Sequence, residues 1–219
     1  RACDGGARAD HAADVEPLKS RPRPAHNGYH SELASTADVT KWVAVDLGQS
    51  RTVDAVRLHP ARPFDYKHEP GFLFPIRFKI EVAEKPDFSD AVTVADWTAS
   101  DAPNPGDEPA VYRFAPTDAR HVRLTATRLR ERDPGNFGLA LAELEVLAQD
   151  RNLAQNATVT SLDSIEAGAW SRSRLVDGLV NPDPGDPGVV PQPATMLRKE
   201  FAMPGQVKRA TVYVTALGL

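Results

Sequence analysis

GFLFPIRFKIEV, residues 71–82, decides the fold class. Ile76, Phe78, Ile80 and Val82 fall on every second position, and Arg77, Lys79 and Glu81 fill the gaps. A period of two sends the apolar side chains to one face of an extended chain and the charges to the other, which is a strand with one buried face. Pro75 stands at the strand entrance, where a missing N–H is tolerable. The aromatic-rich run before it (Phe64, Tyr66, Phe72, Phe74) reads as a loop feeding the strand. The expectation is a central core strand over residues 76–82, with Phe72 and Phe74 anchoring a loop that forms half of a binding rim.

The same period recurs on both sides. WVAVDL (42–47) alternates, Gly48-Gln49-Ser50 reads as a turn, and VDAVRL (53–58) repeats the alternation until His59-Pro60. Further strands are predicted over 91–94, 111–114 and 121–126. LALAELEVL (139–147) is rich in helix formers, but Ala142, Leu144 and Val146 alternate with Glu143 and Glu145, so it reads as a closing strand. With 19 prolines and 14 glycines punctuating them, these short strands predict an all-β protein, a jelly-roll β-sandwich.

Composition narrows the function. Hydrophobic residues make up 41% and charged residues 26%, with no apolar run near the roughly 18 residues of a membrane span. A net charge of −4 and scattered basic residues argue against a nucleic-acid partner. The densest basic group, Arg128, Arg130 and Arg132, is interrupted by Glu131 and Asp133 and reads as a solvated loop. The single cysteine, Cys3, excludes an intramolecular disulfide and a cysteine-based zinc cluster. The first residues, RACDGGARADHAAD, hold no apolar leader core. Residues 1–40 lack either periodicity and read as an irregular lead-in. Beyond 150 the texture changes: weak alternation over 152–180, a Pro/Gly/Asp-rich linker over 181–193 that contains Asn181, Asp183 and Asp186, and two strand-like runs within 194–219 that read as the truncated start of a second β-domain.

Four segments in order, WVAVDLGQSRTVDAVRLHPA, FPIRFKIEVAEKPDFSD, ARHVRLTATRL and ALAELEVLA, resemble the discoidin or coagulation-factor C-type module, similar to family 32 carbohydrate-binding modules, over residues 40–148. NLAQNATVTSLDSIEAGAWSRSRLVDGL resembles the segment that normally opens such a module, yet here it follows it. That order implies a circularly rearranged module in which residues 152–180 return to complete the sandwich over 41–180, supplying the edge strand and loop that residues 1–40 do not. Residues 193–219 resemble the start of the N-terminal β-sandwich of bacterial α-L-rhamnosidases. The resemblances imply a non-catalytic accessory module of a rhamnosidase-like glycoside hydrolase, secreted, periplasmic or at the bacterial cell surface. Its partners would be a rhamnose- or galactose-containing glycan and the catalytic domain of its own chain. The alternative is a purely structural interdomain β-domain.

Sugar binding needs an aromatic face against the apolar side of a pyranose and planar polar groups for its hydroxyls. In the discoidin-like sugar binders these come from loops at one end, which match residues 60–74 and 129–138 here. Arg62, Phe64, Asp65, Tyr66 and His68 are the candidates in the first; Asn136 and Phe137 in the second, where Phe137 equally reads as a plug for the end of the sandwich. Membrane insertion by Phe64, Phe72 and Phe74, as in the clotting relatives, gains little in an acidic chain. The resemblance further implies a structural calcium held by Glu143 and Asp177, hard oxygen ligands of the kind the ion takes; without the resemblance they read as solvated carboxylates. His26 and His30 are spaced i, i+4, but Gly28 between them argues against a helical metal pair. The GxSxG, HExxH and phosphate-loop patterns are absent, and no carboxylate pair stands out as a glycosidase acid and base.

Overall fold

A computed structural model gives the fold and describes residues 27–63, 66–67 and 69–180. The strands are β1 Tyr29–His30, β2 Lys41–Pro60, β3 Arg77–Ala83, β4 Val92–Asp96, β5 Ala110–Arg128, β6 Arg130–Asp133, β7 Asn136–Gly138, β8 Ala140–Ala148, β9 Arg151–Asn152 and β10 Thr158–Ser161. One 3-10 turn, Arg172–Val176, follows. All pairings between these strands are antiparallel, so the all-β expectation holds.

Two strands are long enough to serve both layers. The first part of β2 (residues 41–46) lies between β10 and the end of β5, and β3 then β4 continue that layer outward. The second part of β2 (55–60) lies between β8 and the start of β5, with β1 outside β8. A break in register between Asp46 and Arg51 separates the two parts. Val43, Val45, Phe78, Ile80 and Leu124 from the first layer join Val56, Leu58, Leu144 and Val146 from the second in one buried cluster. Two antiparallel layers around one core make a β-sandwich.

The opening stretch meets its expectation. Phe78, Ile80 and Val82 are buried while Arg77 and Lys79 stay partly open, and β3 is flanked on both sides, by β5 and β4. Each such buried side chain contributes about 1.5–3 kcal/mol relative to exposure. Phe72 (3% exposed), Leu73 and Phe74 are buried too, so Phe72 and Phe74 anchor their loop and are withdrawn from any membrane-inserting role.

Several boundaries differ from the sequence reading. The two predicted strands at 42–47 and 53–58 are one strand, because residues 47–50 bulge without reversing the chain and both halves keep β5 as partner. Residues 111–114 and 121–126 merge into β5 for the same reason. The stretch 129–138, expected as a loop with a solvated arginine group, is largely the β6–β7 hairpin, and Arg130 within it is half-buried. The lead-in is not irregular throughout: Tyr29–His30 pairs with β8, and Ser31 and Ala34 continue with bonds to Leu139 and Phe137. An edge strand therefore comes from before residue 40 as well as from the returning segment.

That returning segment is fastened at three places. β10 pairs with β2 in register Val159 to Val45. Leu175 and Val176 enter the core. Asp163 bonds the backbone N–H of Glu32 (2.9 Å) and pairs with Lys41, while its carbonyl accepts from the Tyr29 hydroxyl at 3.1 Å. The linker (181–193) and the second-domain reading (194–219) lie outside the described residues.

Candidate functional site

Tyr66 and residues 69–76 come together with the β6–β7 hairpin. Tyr66 links them: its hydroxyl donates to the Arg132 carbonyl at 3.1 Å, and the Arg132 guanidinium lies 5.8 Å over its ring. Between the two elements opens a cleft of about 490 Å³, lined by Glu69, Pro70, Gly71, Phe72, Ile76, Arg130 and Glu131. Its wall is fixed by sterics as well as bonds. Gly71 holds φ +71, and a Cβ there would fall 1.9 Å from Asn104 Oδ1, so a side chain at this position would be strained and would displace the Asn104 amide. The Asn104 amide then bonds the Pro70 carbonyl at 3.2 Å.

Arg130 is the central polar group. Burial pushes its pKa down, opposed by the charge of Glu69, and its Nε donates to the Phe74 carbonyl at 3.0 Å. The arginine is thus held by the anchor of the loop and presents a fixed planar donor array to the cleft. Glu131 accepts from the Gly135 N–H at 2.9 Å, which fixes the hairpin turn. Glu69 pairs with Lys67 at 2.6 Å. A guanidinium, two carboxylates and an apolar wall of Phe72 and Ile76 supply donors, acceptors and a hydrophobic face in one concave place.

The predicted residues fall as follows. Tyr66 is half-buried beside Phe72, ring centroids 5.4 Å apart. Arg62 lies 3.7 Å from Asp107 and joins the first loop to residues 104–107. Asn136 donates its amide to Asp133 within the hairpin. Phe137 is half-buried against the core and bonded through its backbone to Ala34 at 2.8 and 2.9 Å; the cleft wall comes from Phe72 and Ile76. Phe64, Asp65 and His68 lie outside the described residues. Glu69, Arg130 and Glu131 were not among the predicted residues; the alternation of charges in RLRERD gives no sign that Arg130 bonds the carbonyl of a buried phenylalanine.

Trp170, from the returning segment, was missed as well. It stacks on Phe72 with centroids 6.2 Å apart and an interplanar angle of 23°, and meets His30 edge-on at 4.9 Å.

The two predicted calcium ligands come together at another place. Glu143, in β8, is 0% exposed. Its Oε1 accepts from the Gly178 N–H at 3.1 Å, and its Oε2 is buried without a hydrogen-bond partner. Burial pushes its carboxyl up to about 9, and the neighbouring Asp177 charge adds to the rise. Asp177 accepts from the Leu179 N–H at 2.9 Å. An orphaned carboxylate oxygen facing a second carboxylate is a donor set that fits a hard cation. No group of three or more His, Cys, Asp or Glu side chains assembles among the described residues, so the pair would supply only part of the six to eight oxygens calcium takes.

Neither a protein-family model nor a curated protein matches this chain. Solved structures do. One is chitosan-binding module 1 of a chitosanase/glucanase from Paenibacillus sp. IK-5, 23% identical over 52% of this chain and 73% of that one, with a TM-score of 0.38. Another is the family 32 carbohydrate-binding module of Clostridium perfringens NanJ in complex with galactose, 19% identical over 53% of this chain and 73% of that one, with a TM-score of 0.39.

Proposed function

We propose that the sandwich is a non-catalytic glycan-binding module that takes a sugar in the cleft between residues 69–76 and the β6–β7 hairpin. The observation that carries the reading is the pinned Arg130 guanidinium beside the apolar wall of Phe72 and Ile76, flanked by Glu69 and Glu131. A pyranose has the matching character: an apolar face and a rim of hydroxyls that both donate and accept. Binding here breaks no bond; it would raise the local substrate concentration for a tethered active site.

The finer reading extends the resemblance of residues 193–219: the parent is a rhamnosidase-like glycoside hydrolase of the bacterial exterior, and the glycan carries rhamnose or galactose. A structural calcium at Glu143 and Asp177 belongs to the same reading. Both residues would ligate it, tying β8 to the turn that follows the 3-10 segment, and the ion would take up the Glu143 oxygen that has no hydrogen-bond partner.

Calorimetric titration with galactose, rhamnose and their oligomers tests the site. Arg130→Met removes a charge-assisted donor set and should weaken saccharide binding about tenfold or more in protein that still melts cooperatively, while the lost bond to the Phe74 carbonyl lowers stability by about 1–3 kcal/mol. No heat with any sugar from a folded chain would end the glycan reading and leave the structural interdomain role.

A further inference from the structure

We infer that the sugar taken by the cleft carries a carboxylate, a hexuronic acid seated on the Arg130 guanidinium; this rests on the glycan reading of the cleft. Arg130 lines the cleft and is half-buried. Its Nε is bonded to the Phe74 carbonyl at 3.0 Å, and among the described residues no hydrogen bond or carboxylate ion pair engages its two terminal nitrogens. Nor are these nitrogens shut inside the protein, since the buried side-chain atoms without a partner lie at other residues. A guanidinium in this state offers its terminal edge to a ligand, two parallel N–H donors whose spacing matches the two oxygens of a carboxylate.

The neighbouring cations of the same loop and hairpin are already paired. Lys67 meets Glu69 at 2.6 Å, Arg132 meets Asp133 at 2.6 Å and Arg62 meets Asp107 at 3.7 Å. Arg130 differs from them: burial disfavours its charged form, a cost that an anionic ligand would offset, and water screens a half-buried charge less than an exposed one. Two carboxylates also line the cleft, and both are engaged, Glu69 by Lys67 and Glu131 by the Gly135 N–H at 2.9 Å. Glu131 is exposed, so solvent weakens its repulsion of an incoming anion. Pro70 and Ile76 complete the lining as apolar, partly open side chains, suited to the carbon face of the ring that bears the acid. A neutral hexose would meet the guanidinium with hydroxyls, whereas a hexuronate brings a charged acceptor whose bonds are roughly twice as strong.

The whole chain, titrated calorimetrically at neutral pH with galacturonate, glucuronate and mannuronate, each beside its parent hexose and its methyl ester, tests this. At least one hexuronate should bind about tenfold more tightly than its hexose, and its ester, which keeps the shape without the charge, should fall back to within about threefold of the hexose. Arg130→Met weakens every sugar and should abolish the preference for the acid. In the unaltered chain, the Arg130 Nε–H resonance should move further with the acid than with its ester. This second measurement decides the matter even if Arg130→Met does not fold. Four results would each overturn the inference and leave the glycan reading standing: no hexuronate binding more tightly than its hexose, an ester as tight as its acid, a preference that survives in folded Arg130→Met, or an Arg130 resonance unmoved by saturating acid. Absence of heat with every sugar, neutral and acidic, would remove the inference together with the reading on which it rests.

Discussion

Glu81 and Glu143 are both strand glutamates shut away from water, 6% and 0% exposed, and the fold treats them in opposite ways. At Glu81 burial pushes the carboxyl up, but hydrogen bonds from Lys79 at 2.7 Å and Arg123 at 3.0 Å outweigh it and hold the group below the usual range. Arg123 also lies 4.0 Å over the Phe88 ring. At Glu143 no cation among the described residues answers the charge, one oxygen is unpartnered, and the carboxyl rises to about 9. A buried carboxylate is costly unless paired and hydrogen-bonded. The protein answers that cost with its own side chains at Glu81, and at Glu143 burial holds the carboxyl up towards its neutral form.

The comparison can be broken from either side. Removing both partners of Glu81, with Lys79→Met and Arg123→Met together, strands a buried charge and should cost about 3–5 kcal/mol in urea denaturation at neutral pH. A loss below about 1 kcal/mol would mean that Glu81 does not depend on its partners.

Glu143→Gln should act with the opposite sign. In chelator-treated protein at pH 7, a carboxyl held at about 9 instead of 4.5 costs on the order of 3 kcal/mol, so the neutral amide should stabilise by roughly that amount. Calcium at a hundred times its Kd should raise the stability of the unaltered chain by about 2.7 kcal/mol and leave Glu143→Gln unmoved. Equal calcium shifts in both proteins, read by thermal melting, would remove Glu143 as a ligand.

The prediction sharpest in sign is the pH dependence without calcium. Glu143 has a raised folded pKa, so its contribution is fully present below about 4.5 and is lost as pH rises toward 9. Glu81 has a lowered one, so its contribution is present above the ordinary glutamate range and is lost as pH falls through the folded value. Stability profiles of Glu81→Gln and Glu143→Gln, each against the unaltered chain, should therefore diverge at opposite ends of the pH scale. Divergence at the same end would contradict the assignment of the two environments.

Much of the sandwich was legible because period-two alternation is a local property. Phe78, Ile80 and Val82, or Ala142, Leu144 and Val146, state which face is buried before any partner is known. The continuity of β2 through residues 47–50 was not legible, since a bulge and a reversing turn draw on the same residues. Of the cleft, the two contributing elements could be read and Tyr66 was among the named residues. Arg130 was hidden, because a half-buried arginine and a solvated one look alike in a row of alternating charges. Glu143 showed the opposite pattern: its position in the closing strand was visible, but its missing partner was not.

By itself, then, the amino-acid sequence determined the all-β class, the core face of β3 and the acidic, non-basic character that argues against nucleic acid. Only the tertiary structure decided that Tyr29–His30 is an edge strand, that Asp163 ties the returning segment to Glu32 and Lys41, and that Trp170 stacks on Phe72. The physical reason is range. Alternation is set by the pleat of a single strand, whereas bonds and stacked rings between residues a hundred or more positions apart exist only once both layers have closed around one core.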